Sequence, residues 1–206
     1  MDLPPTPFDA CHKRPGRVSS LSLVRYKNTD YSVPVAYAHR DVVVRAYVDE
    51  VVIETGAEEI ARHRRSYETE DFVFDPLHYL DLIERKVGAL DQAAPLQGWD
   101  LGEEFARLRR LMEARLSQKN RRAAGKREFV QVLQLFKIFP DGVVRAAVHD
   151  ALELGAMGVC RILCSGRSLS DGLKAFFEQN GELIFRLDLF SRGPFPILRR
   201  ICPHEI

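Results

Sequence analysis

Residues 42–48, reading VVVRAYV, constrain this chain more than any other stretch. In an extended strand Val42, Val44, Ala46 and Val48 fall on one face, while Val43, Arg45, Tyr47 and Asp49 fall on the other. A strand of that kind needs other strands to cover its apolar face. The flanking sequence supplies them. Val51 to Ile53 continue the β-branched content, Thr55-Gly56-Ala57 reads as a turn, and Glu58 to Ser66 reads as the returning strand. Upstream, Val18 to Tyr26 and Tyr31 to Val35 read as strands joined by a turn at Lys27-Asn28-Thr29-Asp30. Pro34 lacks an N–H to donate to a ladder and belongs at an edge or a strand end. Four or five short strands within about fifty residues predict a small antiparallel β-barrel of SH3-like size over residues 17–70.

The sequence changes period after residue 71. Asp75-Pro76 is a helix start, because Asp caps well and Pro suits the first helical position. Leu77, Leu80 and Ile83 form an apolar stripe, with Gly88 as its stop. Asp100 with Glu103 resembles a capping box ahead of Phe105, Leu108, Leu111, Met112 and Leu116. Gly125 is expected to break the following helix, and further helices are expected from Phe129 to near Pro140 and from Val143 to near Gly155. Trp99 is expected to pack at a helix start. Residues 71–157 thus read as a helical region, and the fold class as α+β. Residues 1–16 carry Pro4, Pro5, Pro7 and Pro15 and read as a linker or arm. Residues 158–206 lose the helical pattern and read as a divergent tail.

Charge bounds the partners. The 206 residues carry 30 Lys and Arg against 29 Asp and Glu, a net charge of +1. Attraction to nucleic acid must therefore come from local clustering. The clearest cluster is Arg107 to Arg127, with nine basic residues and one acid, Glu113. Its Arg107, Arg110, Arg121, Arg122, Lys126 and Arg127 are candidates for phosphate contact; the alternative is the solvated face of an amphipathic helix. No run reaches the roughly 18 apolar residues of a membrane span, and no signal peptide is read at the start. The four cysteines, Cys11, Cys160, Cys164 and Cys202, suit a reducing compartment, and a cytoplasmic location is expected. Cys160, Cys164, Cys202 and His204 lack the spacing of a zinc knuckle, so neither a metal nor another cofactor is assigned.

The phrases SLSLVRYKNTDYSVPVAYAHRDVVVRAYVDEVVI, ARHRRSY, FDPLHYLDLIERKVGAL and APLQGWDL occur in that order. Together they resemble the C-terminal region of the insertion-sequence 21 type transposases, over about Leu3 to Gly158. That family is related to retroviral integrases and the phage Mu transposase. The resemblance implies a small barrel and helical tail that follow a helix-turn-helix and an RNase H-like core bearing three metal-binding carboxylates. None of the acids Asp41, Asp49, Glu50, Glu54, Asp71 and Asp75 matches those carboxylates, so a truncated fragment without catalytic residues is expected, and no enzyme activity. The altered tail after Gly158 is expected to reflect a frameshift or recombination junction.

The resemblance further implies double-stranded DNA at transposon ends as the partner. Arg17, Arg25, Lys27, Arg40, Arg45, Arg64 and Arg65 are then phosphate candidates, with Tyr26 and Tyr47 beside them; the alternative is ordinary surface charge. Self-association, contact with a full-length transposase and contact with the element's partner ATPase are implied as well. Two other roles remain open: a regulator that inhibits full-length transposase, and an inert remnant.

Overall fold

Alternation and tight turns produce seven strands among the described residues: β1 (His12–Arg17), β2 (Leu23–Tyr26), β3 (Thr29–Ser32), β4 (Asp41–Ala46), β5 (Glu50–Thr55), β6 (Glu58–Arg64) and β7 (Asp71–Val73). The computed structural model describes residues 9–117 and 122–155. The tail from residue 158, with its cysteines, and prolines 4, 5 and 7 lie outside them. The chain divides into two compact units, Met1–Leu82 with Ala94–Leu96, and Ile83–Ala93 with Gln97–Ile206.

In the first unit β1, β4, β5 and β6 form one antiparallel sheet in that order. The order of the second sheet is β2-β3-β7. Here β2 and β3 are an antiparallel hairpin, and β7 joins β3 in parallel. That parallel pairing departs from the all-antiparallel expectation. No closed barrel ladder forms among the described residues. The two sheets instead share one core, in which Val18, Val24, Tyr31 and Val33 meet Val42, Val44, Val51 and Ile53. Each such valine, fully buried, contributes on the order of 1.5–3 kcal/mol before the entropy of ordering is counted.

The β4 alternation holds as far as Ala46. Val42, Val44 and Ala46 are buried, while Val43 is 38% exposed. Val48 breaks the pattern at 71% exposed, because the strand ends at Ala46 and Tyr47 N–H closes the hairpin on Glu50 O at 2.9 Å. The expected turn at residues 55–57 lies between β5 and β6, with Gly56 at φ 64°. A bulge between Ile53 and Glu54 shifts the β5–β6 register.

His12–Arg17, of which all but Arg17 is expected within a linker, is a paired strand. It is an edge strand, the one place in a sheet where Pro15 is tolerated. Gly16 permits close approach here, since a Cβ would stand 3.3 Å from Val24 Cγ1.

Buried polar groups of this unit satisfy one another. Ser32 Oγ accepts from Asp75 N–H at 2.8 Å and lies 2.9 Å from His78 Nδ1. On its other side the His78 ring places Nε2 3.6 Å from Asp75 Oδ2. His63 Nε2 donates to Ser32 O at 2.6 Å, and the two imidazoles meet edge to face at 5.6 Å. Asp75 also caps the following turn by accepting from Leu77 N–H at 2.9 Å, with Pro76 at its first position, as the sequence predicts.

The helices are α1 (Leu80–Arg85), α2 (Glu103–Ser117), α3 (Arg122–Gln134) and α4 (Asp141–Glu153). Phe105, Leu108 and Met112 on α2, Phe129, Val130 and Leu133 on α3, and Val144, Ala147, Val148 and Ala151 on α4 are buried at helical spacing. Trp99 packs edge-on against Phe136 at 5.5 Å. Three local expectations fail. Gly88 lies inside a 3-10 turn, Val87–Asp91. Asp100 accepts from Gly102 N–H at 3.1 Å, and α2 begins at Glu103, so Glu103 is not the third residue of a capping box. Gly125 lies inside α3 and is buried against α2. A Cβ there would stand 2.8 Å from Met112 O and 3.0 Å from Glu113 Cα.

Replacing a helix-interior glycine by alanine ordinarily stabilises by about 1 kcal/mol. At Gly125 the sign reverses, because backbone cannot move aside as a side chain can. G125A is expected to destabilise by about 1–3 kcal/mol in urea unfolding. G142A, where a Cβ meets nothing within 4 Å, is expected to be neutral or mildly stabilising.

Burial holds His63 below the ordinary imidazole pKa, partly offset by its bond to Ser32 O. The folded state therefore binds fewer protons than the unfolded state once pH falls below about 6.5, and stability declines as pH falls further. H63Q keeps a donor for Ser32 O but does not titrate, and it is expected to flatten that decline in thermal melts. His149 runs the other way. Its exposed ring is raised in pKa by Glu104, so its small contribution is present below about pH 6.5 and is lost as pH rises through the folded value.

Candidate nucleic-acid interface

The basic residues of the β unit separate into those occupied by carboxylates and those open to solvent. Arg45 is occupied. It projects from the outer face of β4, donates from Nη1 to Glu54 Oε1 at 2.6 Å, and pairs through Nη2 with Asp9. Tyr47 OH donates to Asp9 Oδ1 at 2.8 Å, and Lys13 Nζ lies 3.1 Å from Asp9 Oδ2, the oxygen that Arg45 also holds. These bonds, led by Arg45, hold the Asp9 carboxyl far below its ordinary pKa. The Arg45 pKa is raised by the same partners, and that of Tyr47 is pushed up to about 12 by its bond to Asp9. The network ties the chain ahead of β1 to β4 and β5. It leaves Arg45 and Tyr47 little capacity for a phosphate.

Arg17 and Arg40 come together at one end of β1. Val18 N–H donates to Arg40 O at 2.9 Å, and Arg17 Nε donates to His39 O at 3.3 Å. Arg17 is only loosely paired, 3.9 Å from Asp41, with both side chains well exposed. Arg40 lies over the Tyr37 ring at 5.3 Å. Arg25 is exposed on β2, 3.5 Å from Asp30. Lys27 occupies the β2–β3 turn at φ 53°, with its ammonium 5.9 Å from the Tyr26 ring. Arg64 is exposed and borders a shallow depression with Tyr47, Val48 and Arg62.

Arg65 is half-buried. Its Nη1 donates to Tyr47 O at 2.6 Å, and its guanidinium lies 5.6 Å from the Tyr26 ring and 4.4 Å from the Tyr67 ring. Tyr26 OH is 3.2 Å from His12 Nδ1, at the other end of β1 from Arg17. Tyr67, absent from the candidates drawn from the sequence, follows the Arg64-Arg65 pair by two residues. That position was its only sequence signal.

The helical unit divides its basic run in the same way. Lys126 and Arg109 both pair with Asp91, and Arg109 Nε also donates to Glu113 Oε1 at 2.8 Å. Lys126 is thereby removed from the open set. Arg115 pairs with Glu128 at 2.5 Å. Arg107 is exposed on α2, Arg110 Nε donates to Ala106 O at 3.3 Å, and Arg127 Nε to Glu84 O at 3.4 Å, leaving their charge outward. Arg121 and the Arg122 side chain lie outside the described residues. Among the described residues no group of three or more His, Cys, Asp or Glu is placed to hold a metal. No helix there is long and apolar enough to cross a membrane.

Residues 3–75 match the model of the Mu transposase C-terminal domain. That match, together with the relatives that follow, gives the class: this is a transposase C-terminal region. The chain is 33% identical over 156 residues to the transposase for insertion sequences IS1326/IS1353 of Pseudomonas aeruginosa, a match covering 73% of this chain and 29% of that protein. The Shigella flexneri protein of the same name matches equally. A transposase of Aminobacter aminovorans is 30% identical over 171 residues, covering 81% of this chain and 32% of its own length. The chain belongs to the insertion-sequence transposases, consistent with the insertion-sequence 21 type, and spans about a third or less of these relatives. No solved structure matches it significantly.

Because Arg45 serves the fold, R45M is expected to lower the urea midpoint and to speed trypsin cleavage after Lys13. Arg14 precedes Pro15 and is protected from trypsin in either form.

Proposed function

We propose that this chain binds and positions DNA during transposition, as the DNA-holding and assembly region of a transposase rather than its strand-transferring part. The membership in the transposase family supports that reading. The observation that carries it is the set of outward cations with no strong carboxylate partner: Arg17, Arg40, Lys27 and Arg64, with Arg25 and Arg65 beside them. Asp9 and Glu54, by contrast, are taken up by Arg45. The two shared-core sheets are then an open counterpart of the small SH3-like barrel.

Phosphate contacts position a duplex without specifying sequence, and each neutralised phosphate releases counterions. In the helical unit Arg107, Arg110 and Arg127 offer a second set, to which Arg121 and Arg122 belong by sequence.

Fluorescence anisotropy with a short duplex at several salt concentrations tests this. Affinity is expected to fall with salt at a slope of about −0.9 per phosphate contacted. The double variant R17A/R40A is expected to make that slope shallower by about 0.9 for each contact removed. R45M, once corrected for folded fraction, is expected to leave the slope unchanged. A folded chain that binds no duplex at low salt overturns the proposal.

A further inference from the structure

Tyr67 is 69% exposed, yet it is held in place. Its hydroxyl donates to Val48 O at 2.8 Å, and the Arg65 guanidinium covers its ring at 4.4 Å. Arg65 is in turn fixed by its bond to Tyr47 O and by the Tyr26 ring. An exposed tyrosine ordinarily keeps its rotamer freedom, since nothing is gained by ordering it in water. Here that freedom is already given up, with most of the ring surface still open. Such a ring is pre-organised for a flat partner that stacks on it.

The surrounding charges indicate what kind of partner. Lys27, its ammonium 5.9 Å from the Tyr26 ring, and Arg64, which lines the same shallow depression as Val48, bring positive charge to the cluster. Glu68 directly follows Tyr67, and Asp49 lies in the β4–β5 turn whose carbonyl accepts from Arg65 N–H at 2.8 Å. Lys27 and Arg64 are the cations available to the phosphate of a nucleotide stacked there. That pattern fits a nucleotide with its base on Tyr67 and its backbone toward Lys27 or Arg64. A base within a duplex has both faces covered by its neighbours and cannot stack in this way. The geometry points to a stacking site for an unpaired base, built from Tyr67 and Arg65, through which this region engages a single-stranded or splayed DNA end beside the duplex it holds.

The inference rests on the DNA-binding reading above, and the test separates the two. Anisotropy of the full chain would be measured against a blunt duplex and against the same duplex with a short single-stranded tail. The tailed probe is expected to bind about 5-fold to 150-fold more tightly, the range for one base stacked on an aromatic side chain. Y67A is expected to abolish that difference while leaving blunt-duplex affinity within about two-fold. Y67F loses the bond to Val48 but keeps the ring, and is expected to retain most of the preference. A 2-aminopurine in the tail is expected to be quenched by the wild-type chain and not by Y67A. Equal binding of both probes, or a tail preference that survives Y67A, overturns the stacking site and leaves duplex binding standing. No binding of either probe by a folded chain overturns both readings. Loss of self-association in Y67A with both DNA affinities intact would overturn it in favour of a protein contact.

Discussion

The first unit depends on β4 having two faces with different duties. Val42, Val44 and Ala46 enter the core shared by both sheets, while Arg45 on the opposite face gathers Asp9 and Glu54. A strand cannot turn one of these faces without turning the other, because side chains alternate with a period of two. The core valines therefore fix where the guanidinium points. The guanidinium in turn fixes the chain ahead of β1, since Asp9 also receives Tyr47 and Lys13. Edge strand β1, with its unfavourable Pro15, is held between these two constraints.

The same division separates structural from available charge throughout the molecule. Arg45, Arg109 and Lys126 are each tied to carboxylates, and so they hold elements together. Arg17, Arg40 and Arg64 sit at strand ends and on outer faces, where a partner can reach them. Exposed ion pairs contribute little to stability, so cations left without a close acid cost the fold almost nothing. On the proposed DNA-binding role, cations on such positions can serve a partner without weakening the core. Arg65 belongs to both groups, since one nitrogen is bonded to the backbone while its flat face orders an exposed ring.

The two units solve packing differently. The β unit has Gly16 beside Val24 to bring sheets together, and the helical unit has Gly125 against the backbone of Met112. In both cases glycine matters for its missing Cβ. The helical glycine was misread from sequence as a breaker because propensity describes an isolated helix, and here the neighbouring helix decides.

The sequence by itself determined the period-two core of β4, the turn at Gly56, the Asp75-Pro76 cap, the helical spacing from Phe105 onward and the transposase relationship. Each of these is local, or is spelled by residues close in the chain, so short-range stereochemistry is enough. Tertiary structure alone decided that the proline-rich start pairs as β1, that β7 joins β3 in parallel, and that Gly125 is a contact. It also decided which arginines stay free. Arg45 reaches Asp9 and Lys126 reaches Asp91 across 36 and 35 residues, and no periodicity reports an ion pair at that separation. Tyr67 owes its fixed ring to Val48, 19 residues away, and to Arg65, whose guanidinium is itself set by Tyr47 and Tyr26 across the fold.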